Sequence, residues 1–167
     1  MTTSSATRSI EIEAPVEEVF AFIADPYRRM QAQERVFGRR IVVSDVTTSL
    51  DGTITGCKVT TRFPPIPLDI TLDVARREHV PNERLVEQAL NLTKDRDEFI
   101  LEPTENGTRL TWHAECSSPI PFLEKLGALL SARKNYDDQL DENLAEIKRE
   151  VETSIVQPAN PNKLVAS

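Results

Sequence analysis

Apolar and polar positions alternate with a period of two along most of the chain and change to a helical period at two places. RSIEIE (8–13) alternates, with Ile10 and Ile12 on one face, and predicts a strand. Ala14-Pro15 then opens a helix, because the N–H that proline lacks is not needed at the first helical position. Glu17 and Glu18 fall in its first turn, and Val16, Val19, Phe20 and Ile23 line one face at i, i+3, i+4, i+7. Asp25-Pro26 ends this helix, and a second short helix is expected over 26–33.

A long β region follows. Strands are expected over 40–48, 53–63, 68–77, 84–92, 98–103 and 108–116. Turn chemistry separates them at Asp51-Gly52, Pro81-Asn82, the charged stretch 94–97 and Asn106-Gly107. Pro64, Pro65 and Pro67 make a bend that cannot lie inside a sheet. Leu68, Ile70, Leu72 and Val74 alternate with Asp69, Thr71 and Asp73, the mark of a strand with one buried side. After Ser117-Ser118 a helical period begins near Ile120-Pro121 and lasts to about Glu152, which corresponds to roughly 45–50 Å of helix. The reading is one domain over 8–152, with small polar residues at 1–7 frayed and a period-free tail at 153–167 disordered.

Composition narrows the function classes. The chain has 167 residues, 39% hydrophobic and 28% charged, with a formal charge of −7. That length suits one self-sufficient core, and that charge disfavours nucleic acid and anionic membrane surfaces. No apolar run is long enough for stable membrane insertion, and nothing resembles a signal peptide, so the cytoplasm is the expected compartment. Cys57 and Cys116 lack metal or redox spacing and are expected as reduced thiols. His79 and His113 are too few and too far apart for a metal site, and no glycine-rich phosphate loop or G-x-S-x-G is present, so no metal and no cofactor are expected.

Candidate site residues come from the predicted faces. On the long helix, Phe122, Leu126, Leu129, Tyr136, Leu140, Leu144, Ile147 and Val151 form one stripe, and Arg133 interrupts it. A guanidinium among apolar neighbours needs a partner. Either it meets an oxygen on a ligand, or its stem packs inward while its head reaches solvent or a local acid such as Asp137. On the last strand Leu110, Trp112, Ala114 and Cys116 face the helix, and His113 faces out. Trp112 offers a flat apolar wall with one N–H. Cys57, Val59, Thr61 and Phe63, with Leu68, Ile70 and Leu72, supply a mostly apolar face on the middle strands.

The order strand, two short helices, about six strands and a long helix resembles the START-like (SRPBCC) superfamily, which takes in the polyketide cyclase/dehydratase and lipid-transport group and the Bet v 1-type allergens. The likeness is carried by RSIEIEAPVEEVFAFIADP (8–26), NGTRLTWHAEC (106–116) and LDENLAEIKREVE (140–152). It implies an α+β helix-grip fold: a curved antiparallel sheet of about seven strands around a long C-terminal helix. It also implies a cavity for a small hydrophobic molecule, and on the faces read above its expected lining is Arg133, Tyr136, Trp112, Leu129, Phe63, Ile70 and Leu72. Members of the superfamily are carriers or, less often, enzymes. A carrier of a lipid- or polyketide-like ligand, a cyclase/dehydratase-type enzyme, and a partner-binding role for the outer sheet surface all stay open, as does a homodimer.

Overall fold

A computed structural model of the chain describes residues 2–63, 68–118 and 136–156. Its elements run β1 (Thr2–Ile12), α1 (Val16–Ala24), α2 (Pro26–Phe37), β2 (Ile41–Thr48), β3 (Ile54–Phe63), β4 (Leu68–Val80), β5 (Arg84–Ala89), β6 (Arg96–Thr104), β7 (Gly107–Ser118) and α3 (Tyr136–Val156). The strands form one curved sheet in the order β1-β7-β6-β5-β4-β3-β2. Every neighbouring pair is antiparallel, so the sheet is a meander from β2 to β7 with β1 returned to the far edge.

Local signals account for the boundaries. The Asp25 carboxylate accepts from the N–H groups of Tyr27 and Arg28 and caps α2, with Pro26 at the first helical position. Gly38, in the left-handed region at φ 61°, ends that helix. Gly107 is required by proximity: a Cβ there would sit 2.1 Å from the Ile12 carbonyl oxygen. The turn before β7 therefore packs backbone to backbone on the end of β1.

The core fills one end of the sheet. Val19, Phe22 and Ile23 of α1, Leu85 of β5, Phe99 and Leu101 of β6, Leu110 and Trp112 of β7, and Leu140, Leu144, Ile147 and Val151 of α3 form one buried cluster. The last four are the C-terminal half of the predicted stripe, and their helix packs on β1. Salt bridges fix α3 along that edge: Arg8 meets Asp137 and Asp141, while Arg35 of α2 meets Glu146 and Glu150.

The structure differs from the sequence expectation at several ends. Residues 2–7 are not frayed: they pair with β7 from Thr2↔Ser118 to Thr7↔His113, because β7 leaves an open edge that small polar residues can fill. Helix α2 runs on to Phe37, and α3 reaches Val156, so residues 153–156 belong to the helix. Strand β5 ends at Ala89, and β6 starts at Arg96 rather than within a turn. The Pro64–Pro67 bend, the expected start of the long helix, Phe122, Leu126, Leu129, Arg133 and the tail from 157 lie outside the described residues.

Candidate ligand site on the concave face

Residues paired directly across neighbouring strands point to the same side of a sheet, so the pairings map the inner face row by row. One row runs Trp112–Phe99–Leu85–His79; the first three are buried, and His79, edge-on to the Phe20 ring, is half-buried. The next runs Ala114–Asp97–Glu87–Arg76 and puts three ionisable side chains side by side on β6, β5 and β4. A register shift between Arg76 and Glu78 is what lets both Arg76 and His79 face inward.

Helix α2 lowers Arg29 onto this polar row. Arg29 is 2% exposed and Glu87 6%. The Arg29 guanidinium donates to the Glu87 carboxylate and to the Ile23 carbonyl (3.0 Å), and it lies over the Phe99 ring. Arg76 donates to the other Glu87 oxygen (3.0 Å) and to the Ala24 carbonyl (2.8 Å). Burial opposes ionisation of Glu87, but the two guanidinium groups outweigh it and hold the carboxyl below its usual range.

Asp97 is the odd member of the row. The Trp112 indole N–H donates to its Oδ1 at 2.8 Å. Burial raises its pKa to about 6; the Trp112 bond and Arg29 pull it down, while Glu87 and Asp95 add to the rise. Tyr136 projects from the start of α3 toward the same place. Burial, then the charges of Asp97, Cys116 and Asp95, push its phenol further up. Burial and Asp95 likewise push the Cys116 thiol up to about 12, and Cys57, buried, is raised by burial and Glu87. Both cysteines are free thiols.

Beyond the polar row the inner face becomes apolar and open. The pairings Val74–Cys57, Leu72–Val59–Val43 and Ile70–Thr61–Ile41 continue it across β4, β3 and β2. Apart from Cys57, these side chains are only partly buried, and none belongs to the core cluster. A groove of about 240 Å³ lies between α2 and β2, where Tyr27, Met30, Gln31 and Glu34 meet Ile41 and Val43. The outer face of the same strands is polar, with Thr60 bonded to Thr71, Arg62 to Asp69 and Lys58 to Asp45.

Of the residues expected in the site, Trp112 is buried against Phe99, with ring centroids 4.9 Å apart, and its N–H is engaged. Tyr136 stands near it through Asp97. Ile70 and Leu72 lie on the apolar wall. The backbone of Phe63 ends β3, paired with Leu68, while Leu129 and Arg133 lie outside the described residues. Asp137, named as a local partner for Arg133, is engaged by Arg8 at 3.0 Å. His113 faces out between Thr7 and Glu115, as expected. The sequence reading missed Arg29, Arg76, Glu87 and Asp97. Glu87 was legible as the one acid between Leu85 and Ala89, and Asp97 as the continuation of the Phe99, Leu101 face.

Among the described residues no three His, Cys, Asp or Glu side chains gather as a metal ion would need, and no helix is long and apolar enough to cross a membrane. Comparisons agree with this architecture. Solved structures with the same fold include DR_A0006 from Deinococcus radiodurans (15% identity, TM-score 0.64, covering 90% of this chain and 98% of that one). A START superfamily protein from Mycobacterium smegmatis shares 13% identity (TM-score 0.61; 89% and 97% covered). A protein of unknown function, SA2116 from Staphylococcus aureus, shares 10% (TM-score 0.63; 93% and 98%). No curated protein matches the sequence. The family described as polyketide cyclase / dehydrase and lipid transport matches residues 3–152, and the chain belongs to that family.

Proposed function

We propose that the chain binds a small, largely apolar molecule against the inner face of β2–β4, with the C-terminal helical segment as the opposite wall. One observation carries the reading. Ile41, Val43, Val59, Ile70, Leu72 and Val74 form an apolar wall that stays partly accessible, while the other half of the same inner face is packed shut. Apolar side chains left unfilled on the inside of a fold are the usual lining of a ligand pocket. Tyr136 lies by Asp97 at the polar end of the wall, and we assign Trp112, Phe63, Leu129 and Arg133 to the same lining. Two unpaired thiols fit a reducing compartment, and we place the activity in the cytoplasm.

The test is a titration with Nile red, a neutral apolar dye, together with solvent extraction of the purified protein and mass spectrometry of the extract. Saturable binding of one dye per chain, lost in Leu72→Glu with circular dichroism unchanged, supports the reading. Dye binding that does not saturate, or that survives Leu72→Glu, contradicts it.

A cyclase or dehydratase reaction in the same space is the second reading. Its favouring observation is Asp97, whose pKa of about 6 suits proton exchange near neutral pH. Turnover of a polyketide-like ketone above the buffer rate, lost in Asp97→Asn, would support it; equal rates with and without protein would exclude it for that substrate.

A further inference from the structure

The polar row also points to the kind of ligand, an inference that rests on the reading above. Its charges are counted over the described elements around it. Arg29 of α2 and Arg76 of β4 are the cations; Glu87 of β5 and Asp97 of β6 are the acids. His79 touches Arg76 at 3.4 Å and is kept neutral by burial and by that guanidinium. Cys57, Cys116 and Tyr136 are held in their neutral forms. Asp95, on the β5–β6 turn, accepts from the Ser117 N–H and adds negative potential beside Asp97. With Asp97 ionised, the two cations face two anions within the row and a third, Asp95, beside it.

Hydrogen-bond supply is uneven along the row. Glu87 accepts three N–H groups, from Arg29 Nη2 and from Arg76 Nε and Nη2. Asp97 accepts one, from Trp112, and among the described residues its Oδ2 has no donor. Tyr136 lies within reach of its charge without bonding to it. A carboxylate can take several donors, so among the described residues this position lacks a donor while charges of both signs surround it. An anion placed there would face Asp97, Glu87 and Asp95. An ammonium would face Arg29 and Arg76. A neutral O–H meets neither penalty.

We propose that Asp97 anchors the ligand by accepting a hydrogen bond from a hydroxyl group on a neutral, otherwise apolar molecule, an alcohol, phenol or enol. The apolar body then lies on Val59, Leu72 and Val43. Because an O–H donates more strongly to a carboxylate than to a carboxylic acid, binding favours ionised Asp97, and affinity falls as pH drops through 6.

The experiment uses 2-naphthol, its methyl ether and 2-naphthoate as fluorescent probes on the full chain. At pH 7.5 the naphthol is expected to bind about 10-fold tighter than either analogue, in line with one charge-assisted hydrogen bond. Its affinity should drop roughly three- to tenfold between pH 7.5 and pH 5, while that of the ether stays level. Asp97→Asn should remove the pH slope, and Asp97→Ala the preference for the hydroxyl. If the ether binds as tightly as the naphthol to the unmodified protein, the assignment of Asp97 is overturned while an apolar site stands. If 2-naphthoate binds tightest, the charge count is wrong. If neither Nile red nor any naphthalene binds, both this inference and the site itself fall.

Discussion

Glu87→Gln tests whether the polar row is as dry as its geometry implies. The glutamate side chain is 8% exposed, and those of Arg29 and Arg76 3% each. The substitution keeps size and shape but removes the one charge that both guanidinium groups contact. The amide oxygen can still accept from one arginine, but the amide NH₂ then faces the other, donor against donor. Breaking a buried ion pair from one side costs about 3–5 kcal/mol, because a desolvated charge is left without compensation. That is a large part of the 5–15 kcal/mol typical of a domain. Urea unfolding should show the midpoint falling with the slope unchanged, since the exposed area on unfolding is the same. The converse construction is Arg29→Met, Arg76→Met and Glu87→Leu together. It removes all three charges and should lie within about 2 kcal/mol of the unmodified protein, because burial without charge avoids the desolvation cost. A loss below about 1 kcal/mol for Glu87→Gln, the range of exposed pairs, would show that water reaches the row and would refute the reasoning.

Three further outcomes follow from the same geometry. Asp97 has a raised folded-state pKa of about 6, so the folded protein takes up a proton before the unfolded chain does. Its contribution is therefore best below about pH 4, is lost as pH rises toward 6, and amounts to about 3 kcal/mol; Asp97→Asn should raise the thermal midpoint at pH 8 but not at pH 4. Glu87 runs the other way: its lowered pKa gives stability that is present above about pH 4 and lost below it, so Glu87→Gln should flatten the acid limb of a pH–stability curve. Gly107→Ala would force a Cβ to within 2.1 Å of the Ile12 carbonyl. Calorimetry should show a loss of about 2–4 kcal/mol as the turn shifts off β1.

Much of the architecture was legible because each element repeats a local signal. Alternation in 68–77 and turn pairs such as Asn106-Gly107 place strands whatever the rest of the chain does. The misses are places where pairing decides instead. Thr2 to Ser5 carry no apolar alternation, and only the edge of β7 makes them a strand. Lys94 to Asp97 read as a charged turn, but β6 extends back to Arg96 because β5 and β7 flank it. Arg76 sits just before a register shift that no residue pattern announces. Arg29 was within reach: Pro26, Arg29 and Ala32 fall at i, i+3, i+6 and are the buried positions of α2. The logic that singled out Arg133 on the long helix applies to Arg29 on the short one. The polar end of the site is tertiary in origin, assembled from α2, β4, β5 and β6, and no single segment displays it.

The most direct test is the position of a bound probe. A crystal of the protein grown with 6-bromo-2-naphthol should give a bromine anomalous peak over the inner face, within van der Waals distance of Val59 or Leu72, with the hydroxyl toward Asp97. A peak only on the outer sheet surface, or strands β2–β4 with their inner side chains covered and no probe between them and the helix, would contradict the account.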